Sequence, residues 1–200
     1  SLSTHGQYRY GAAAGTSTLA LHRSSDSSGN NDGHDRYTYA TDSIAASGAA
    51  MASQSSLNAA AGNTTYGYFS GGFSFGSAVD RYAYATDTSA SSSALTYVTS
   101  GAAAAGNASR GLWAGGPGGT TNASEVAYST GATTTRTSMP SAAYIHSAAG
   151  DSVRGLYLGG IGPATLVQSY TWGTDAWASG TSLSTGRVAG AACCETPGHL

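Results

Sequence analysis

Short oxygen-bearing side chains cluster in the segment 26–35, around two glycines. The candidate ligands there are Asp26, Ser28, Asn30, Asp32 and Asp35. Carboxylate, amide and hydroxyl oxygens are the ligands that a hard cation such as calcium prefers. The segment lacks the glutamate and the flanking helices of an EF-hand, and the same residue types also form solvated turns. Both interpretations, a calcium loop and a plain polar loop, stay open.

Three aromatic residues stand outside the repeat that organises the chain, and they are the candidates for an exposed ligand contact: Phe73, Phe75 and Tyr144. An aromatic ring offers a broad apolar face to a partner. A surface glycan is therefore a candidate ligand.

No pattern of catalytic residues stands out. The histidines, which are His5, His22, His34, His146 and His199, show no metal-type pair spacing. The sequence has no G-x-S-x-G elbow and no phosphate loop, and its few carboxylates do not single out an acid/base pair. We therefore expect a protein that is not an enzyme and has no obligatory cofactor.

Asn-x-Ser/Thr triplets mark three candidate glycosylation sites, Asn63, Asn107 and Asn122, which matter only in a eukaryotic secretory pathway. Cys193 and Cys194 are adjacent in sequence, where an ordinary disulfide between them would be strained. We expect them to be small hydrophobic residues of a strand.

The composition argues against two classes of partner. The net charge is −2, with eight arginines, no lysine and no basic run, so a nucleic-acid partner is not expected. No apolar run approaches 18 residues, and no charged-then-apolar leader opens the sequence. We expect neither a membrane span nor a signal peptide.

A repeat of about 44 residues must position all of these side chains. Its closing aromatic recurs at Tyr39, Tyr84, Tyr128 and Trp172, in steps of 45, 44 and 44 residues. A small-residue corner keeps the same period at Gly15, Gly62, Gly106, Gly150 and Cys194. A fixed period of this length is typical of solenoids and propellers, so residues 1–200 are predicted to form a single array.

Four short segments in each period are predicted to be strands. One ends on a glycine pair (67–72, 111–116 and 155–160), one alternates Tyr with small residues (35–42 and 80–87), and one is rich in Ser and Thr (132–138). The Ala-rich runs at 58–62, 101–106 and 187–194 are too short for independent helices. We predict that they form inner strands.

The copy at 155–194 resembles a kelch repeat. Its features are the pair Gly159 and Gly160, then Tyr170, and Trp177 seven residues later. The earlier copies have Ile44, Ser89 and Thr133 in place of that tryptophan. The resemblance implies an all-β fold, a β-propeller of four-stranded blades. The Ala/Ser/Thr-rich style also resembles repeats of phage tail, virion and bacterial surface proteins.

Counting the phases of the repeat gives about four and a half blades. We therefore expect an incomplete ring, which is either part of a longer polypeptide or a protomer whose open edges pair with neighbours, since unpaired strand edges are normally covered. A self-contained ring of four or five blades is the alternative.

The in-phase aromatics are predicted to pack between blades, because each blade buries its faces on its neighbours. They are Tyr37, Tyr39, Tyr82, Tyr84, Tyr128 and Trp172. Asp42 and Asp87 recur at one position of the repeat, which favours a role in a turn.

The function expected from the sequence is a structural or adhesive module of a virion, tail fibre or extracellular surface assembly. Its expected partners are further copies of itself, or other structural proteins. The alternatives are a carbohydrate-binding lectin and a secreted enzyme of the galactose-oxidase type, because kelch-like oxidases hold copper with tyrosines and histidines.

Overall fold

The computed structural model describes residues 9–25, 34–46, 51, 57–72 and 76–190. These residues form four antiparallel sheets of four strands each, which we number 1 to 4 in chain order. In every sheet the strands are neighbours in the order in which they follow one another in sequence. The predicted all-β class and four-stranded unit are confirmed, and the arrangement is propeller-like.

The strands are short and evenly distributed. Sheet 1 contains β1 (Arg9–Gly15), β2 (Leu19–Ser25), β3 (His34–Thr38) and β4 (Ser43–Ala46), and sheet 2 contains β5 (Ala59–Gly62), β6 (Tyr66–Ser70), β7 (Val79–Ala83) and β8 (Thr88–Ser91). Sheet 3 contains β9 (Ala103–Gly106), β10 (Arg110–Ala114), β11 (Ala123–Ala127) and β12 (Thr133–Arg136), and sheet 4 contains β13 (Ser147–Gly150), β14 (Arg154–Leu158), β15 (Val167–Thr171) and β16 (Ala176–Ser179). One turn of 3-10 helix lies at Tyr39–Thr41.

The Ala- and Gly-rich strands β1, β5, β9 and β13 lie side by side along the array. Their predicted role as inner strands is confirmed. Small side chains are required here because the backbones approach closely: a Cβ on Gly150 would overlap the carbonyl oxygen of Gly106 in the preceding sheet. The run at 187–194 differs, because residues 187–190 are outside the strands and 191–194 are outside the described residues.

Backbone hydrogen bonds link successive sheets just before their inner strands. Gly101 N–H donates to the Leu57 carbonyl (3.2 Å), Ile145 N–H to Gly101 (2.8 Å) and Ala189 N–H to Ile145 (3.0 Å). All four residues have a positive φ, between 50° and 66°. The hydrogen bond made by Ala189 continues this series of bonds beyond the fourth sheet.

Two kinds of turn repeat with the sheets. After the inner strand, the side-chain oxygen of Asn63, Asn107 or Asp151 accepts two backbone N–H groups, and Thr16 takes the same place in sheet 1. After the third strand, a tyrosine hydroxyl donates to an aspartate five residues later, which has a positive φ. The pairs are Tyr37–Asp42, Tyr82–Asp87 and Tyr170–Asp175. The predicted turn role of Asp42 and Asp87 is confirmed.

The hydrophobic core lies between the sheets, in three separate clusters. Tyr84 belongs to the cluster between sheets 1 and 2, Tyr128 to the one between sheets 2 and 3, and Trp172 to the one between sheets 3 and 4. Each ring therefore packs toward the preceding sheet. Glycines make room for them: a Cβ on Gly111 would lie 2.7 Å from the Tyr128 hydroxyl.

Ion pairs cross two of these interfaces. Arg23 of sheet 1 pairs with Asp80 of sheet 2 at 3.3 Å, and both side chains are fully buried. Arg136 of sheet 3 reaches Asp175 of sheet 4 at 3.9 Å, where both side chains are partly exposed, and it also binds Glu125 of its own sheet at 2.8 Å. The buried pair favours one arrangement of sheets 1 and 2, because leaving either charge unpaired inside the protein is costly.

Each sheet begins with its Ala-rich strand, so the described residues form four complete sheets. The prediction of a further partial blade is not tested, because residues 191–200 lie outside the described residues and residues 187–190 lie outside the strands. The packing prediction is confirmed for Tyr82, Tyr84, Tyr128 and Trp172, which are at most 6% exposed. It is wrong for Tyr39, which is 52% exposed, and for Tyr37, which is only partly buried. Among the described residues, no sheet precedes sheet 1 to cover it.

Candidate functional site

The uncovered side of sheet 1 is the candidate functional surface, and we call it the leading face. It carries His22, Tyr37 and Tyr39. The strand registers place His22 in line with Phe69, Trp113 and Tyr157, and Tyr37 in line with Tyr82, Val126 and Tyr170. All six of those counterparts are fully buried in sheets 2 to 4. Tyr37 and His22 are only partly buried.

The outer side of sheet 4 is the matching half, and we call it the trailing face. Leu156 marks it, because the strand registers align this residue with Leu21, Tyr68 and Leu112. Those three are fully buried against the next sheet, whereas Leu156 is only partly buried. The described part of the chain thus displays both halves of one more interface between sheets.

The side chains of the leading face make the same local contacts as their buried counterparts, although no sheet covers them. The Tyr37 hydroxyl donates to Asp42 at 2.6 Å, and this hydrogen bond raises the pKa of Tyr37. The Tyr37 and Tyr39 rings meet edge to face, with centroids 5.2 Å apart. The same pairing recurs between Tyr82 and Tyr84 and between Tyr170 and Trp172. The two aromatic rings of the leading face therefore already have the geometry found in the buried interfaces.

A second surface lies between the loops that follow β10 and β14. Tyr144 lies against Gly101 and lines a cavity of about 440 Å³ together with Ile161, Pro163, Gly118 and Gly119. The predicted contact residue Tyr144 thus lies in a pocket. Phe73 and Phe75 lie outside the described residues, so their role as contact residues stays a prediction.

The predicted calcium loop falls mostly outside the described residues, because Asp26, Ser28, Asn30 and Asp32 belong to the undescribed segment 26–33. Asp35 lies in β3 and is buried. Across the described ranges, no group of three or more His, Cys, Asp or Glu side chains is placed to hold a metal ion. The calcium site stays a prediction.

The candidate glycosylation residues have a clear local role in two cases. The side chains of Asn63 and Asn107 close the turn after an inner strand, which is a reason for asparagine there without any sugar. Asn122 is exposed, at the end of the loop before β11. Glycan attachment to any of the three stays a prediction.

Sequence reasoning missed a polar pair near the inner strands. Asn58 and His146 occupy the same position of the repeat, directly before β5 and β13, and both are buried. Burial lowers the pKa of His146 to about 4. The period of 44 residues aligns Asn58, Ala102, His146 and Gly190. A comparison of the copies shows that these residues share one position, but not that two of them are buried.

Comparison with solved structures supports the fold. The chain is similar to the structure of YjhT, with a TM-score of 0.75 over 93% of this chain and 74% of YjhT. The sequence identity is 13%, so the likeness concerns the fold alone. No protein-family model and no curated protein matches the sequence. No helix among the described residues is long and apolar enough to cross a membrane.

Proposed function

We propose that the chain is a non-catalytic structural or adhesive module built from kelch-like propeller blades, and that it assembles through its two outer faces. Its place is a virion, a tail fibre or an extracellular surface structure. The partner is a further copy of the chain, whose trailing face covers the leading face. The exposure of Tyr39 is the observation that carries this proposal.

The contact between two copies would repeat an interface that the chain already forms three times. Three interfaces between sheets already join a leading face to a trailing face, and each buries the aromatic that corresponds to Tyr39. Burying an aromatic side chain contributes roughly 1.5–3 kcal/mol. A contact between the unlike outer faces of two copies reproduces this packing, and such head-to-tail contacts build rings or filaments.

The virion or extracellular location is proposed from the amino-acid composition and from the type of repeat. Charge is scarce and lysine is missing, which suits an extracellular structure exposed to proteases. The Ala/Ser/Thr-rich repeats resemble those of tail and surface proteins. Surface assemblies of this kind work by presenting repeated loops.

Sedimentation velocity over a concentration series tests the assembly. We expect the unmodified chain to associate and Tyr39→Ser to weaken association at least tenfold, because the central aromatic of the interface is lost. Val153→Ser is the matched control, because Val153 is also an exposed hydrophobic residue but lies in the loop before β14. A chain that stays monomeric at every concentration contradicts the proposal.

A carbohydrate-binding role is the second candidate, and the cavity at Tyr144 favours it. An aromatic wall beside Ile161 and Pro163 offers an apolar surface for the face of a sugar ring. Tyr144→Ala should then reduce binding on a glycan array at least tenfold, while Val153→Ser leaves it unchanged. Equal binding by both variants would exclude this cavity as the sugar site.

A further inference from the structure

A cavity lies where the inner strands of the four sheets converge. Its volume is about 150 Å³, and a wider cavity of about 320 Å³ adjoins it. The two share the wall residues Gly11, Asn58, Ala102, His146 and Gly190. Four of these five belong to the same position of the repeat, so the wall is built by the array itself.

Asn58 and His146 place unpaired polar atoms in this wall. Their side chains are 9% and 8% exposed, and neither the amide atoms of Asn58 nor the ring nitrogens of His146 have a hydrogen-bond partner among the described residues. Buried polar groups are almost always hydrogen-bonded, because an unmade bond costs free energy. Ala102 and Gly190, at the matching positions, leave space beside them. A bound molecule would supply the missing partners.

The chemistry of the wall selects a neutral molecule. No Arg, Asp or Glu lines either cavity, and the titratable side chains in the walls are His146 and, in the wider cavity, His22. Burial lowers the pKa of His22, so a buried ion would go uncompensated. Burial keeps His146 neutral at pH 7, because its pKa is lowered to about 4. A neutral imidazole donates through one nitrogen and accepts through the other, and the Asn58 amide also does both.

The cavity volume limits the size of the molecule that can bind. An apolar cavity of about 150 Å³ accommodates a molecule such as benzene, with about six non-hydrogen atoms. The donors and acceptors of Asn58 and His146 require the occupant to carry both kinds of group. Leu57 and Ile145 add apolar contact to the narrower cavity.

We propose that this cavity binds a small neutral molecule that bears both hydrogen-bond donors and acceptors, such as a polyol or a carboxamide, between Asn58 and His146. This binding site differs from the assembly contact proposed for the outer faces, although His22 belongs both to the leading face and to the wall of the wider cavity.

NMR titration of the isotope-labelled chain at pH 7 tests the site, with glycerol and acetamide as neutral probes. Acetate and methylammonium are charged probes of no greater size. We expect saturable shifts of the Asn58 side-chain amide and the His146 ring signals with the neutral probes, and at least tenfold weaker effects with the ions. Equal responses to all four, or no saturable response to any, would overturn the proposal in favour of water alone.

Two substitutions locate the binding. Asn58→Leu and His146→Phe should each weaken the binding of the neutral probes about tenfold, because one or two hydrogen bonds are lost. Asn122→Leu is the matched control, because Asn122 is exposed and lines neither cavity. If the first two variants do not fold, Ala102→Val narrows the cavity and keeps both polar side chains. Wild-type affinity in the folded variants would refute the assignment.

Discussion

At the scale of single residues, the repeat is held by side chains that close turns. Asp151 shows how: its carboxylate accepts the backbone N–H groups of Val153 and Arg154, both at 2.7 Å. Hydrogen bonds from Arg154 and then Val153 lower the pKa of Asp151. Asparagine serves the same turn in sheets 2 and 3, so the charge is not needed for closure.

Asp151→Ala is expected to cost about 1 kcal/mol or less at neutral pH, because two hydrogen bonds are lost from a turn that solvent screens. The folded pKa of Asp151 lies below the unfolded one, so its contribution is present above pH about 4 and is lost as pH falls through the folded value. Urea unfolding between pH 2 and 6 measures this.

Asp151→Asn is the control for that series. It should keep the stability of the unmodified chain near neutral pH and remove this residue's share of the acid sensitivity. The role assigned to Asp151 would be wrong if Asp151→Ala and the unmodified chain had the same unfolding midpoint throughout.

At the scale of the strand, the array depends on how closely inner strands approach. Gly150 of β13 faces the backbone of Gly106 of β9, and a Cβ would overlap its carbonyl oxygen. A backbone atom cannot move aside as a flexible side chain can. At Gly150, the glycine corner seen in the sequence is therefore a packing requirement between sheets.

Gly150→Ala should therefore destabilise the chain by about 1–3 kcal/mol, the usual cost of overpacking a filled interior. Gly173→Ala is the matched control, because Gly173 is exposed and a Cβ there would meet no atom within 4 Å. Thermal unfolding compares the two. Equal melting temperatures for both variants would mean that the inner strands are not in close contact.

The sequence predicts most of these elements because their signals are local and repeated. Period-2 tyrosines, glycine pairs and Ala-rich runs locate the strands, and the common period predicts which aromatics are buried. The exposure of Tyr39 was not predicted, because Tyr39 and Tyr84 are the same residue type at the same position of the repeat. Their difference in exposure depends on whether a neighbouring sheet covers them. The pair Asn58 and His146 was missed because its meaning is three-dimensional.

At the scale of the whole molecule, the two outer faces determine how the proposed assembly forms. Each internal interface joins a leading face to a trailing face, and the described residues leave one of each uncovered. The faces are unlike, with Tyr37 and Tyr39 on one and Leu156 on the other. A contact between unlike faces repeats in one direction, whereas a contact between like faces stops at a dimer.

Hydroxyl-radical footprinting over a dilution series tests this account most directly, because it reports side-chain accessibility on both faces at once. We predict that Tyr39 and Leu156 become protected over the same concentration range, while Val98 and Val153, which are exposed and lie in loops outside the strands, stay reactive. Protection of Tyr39 without Leu156, or unchanged reactivity of both at all concentrations, would contradict head-to-tail assembly.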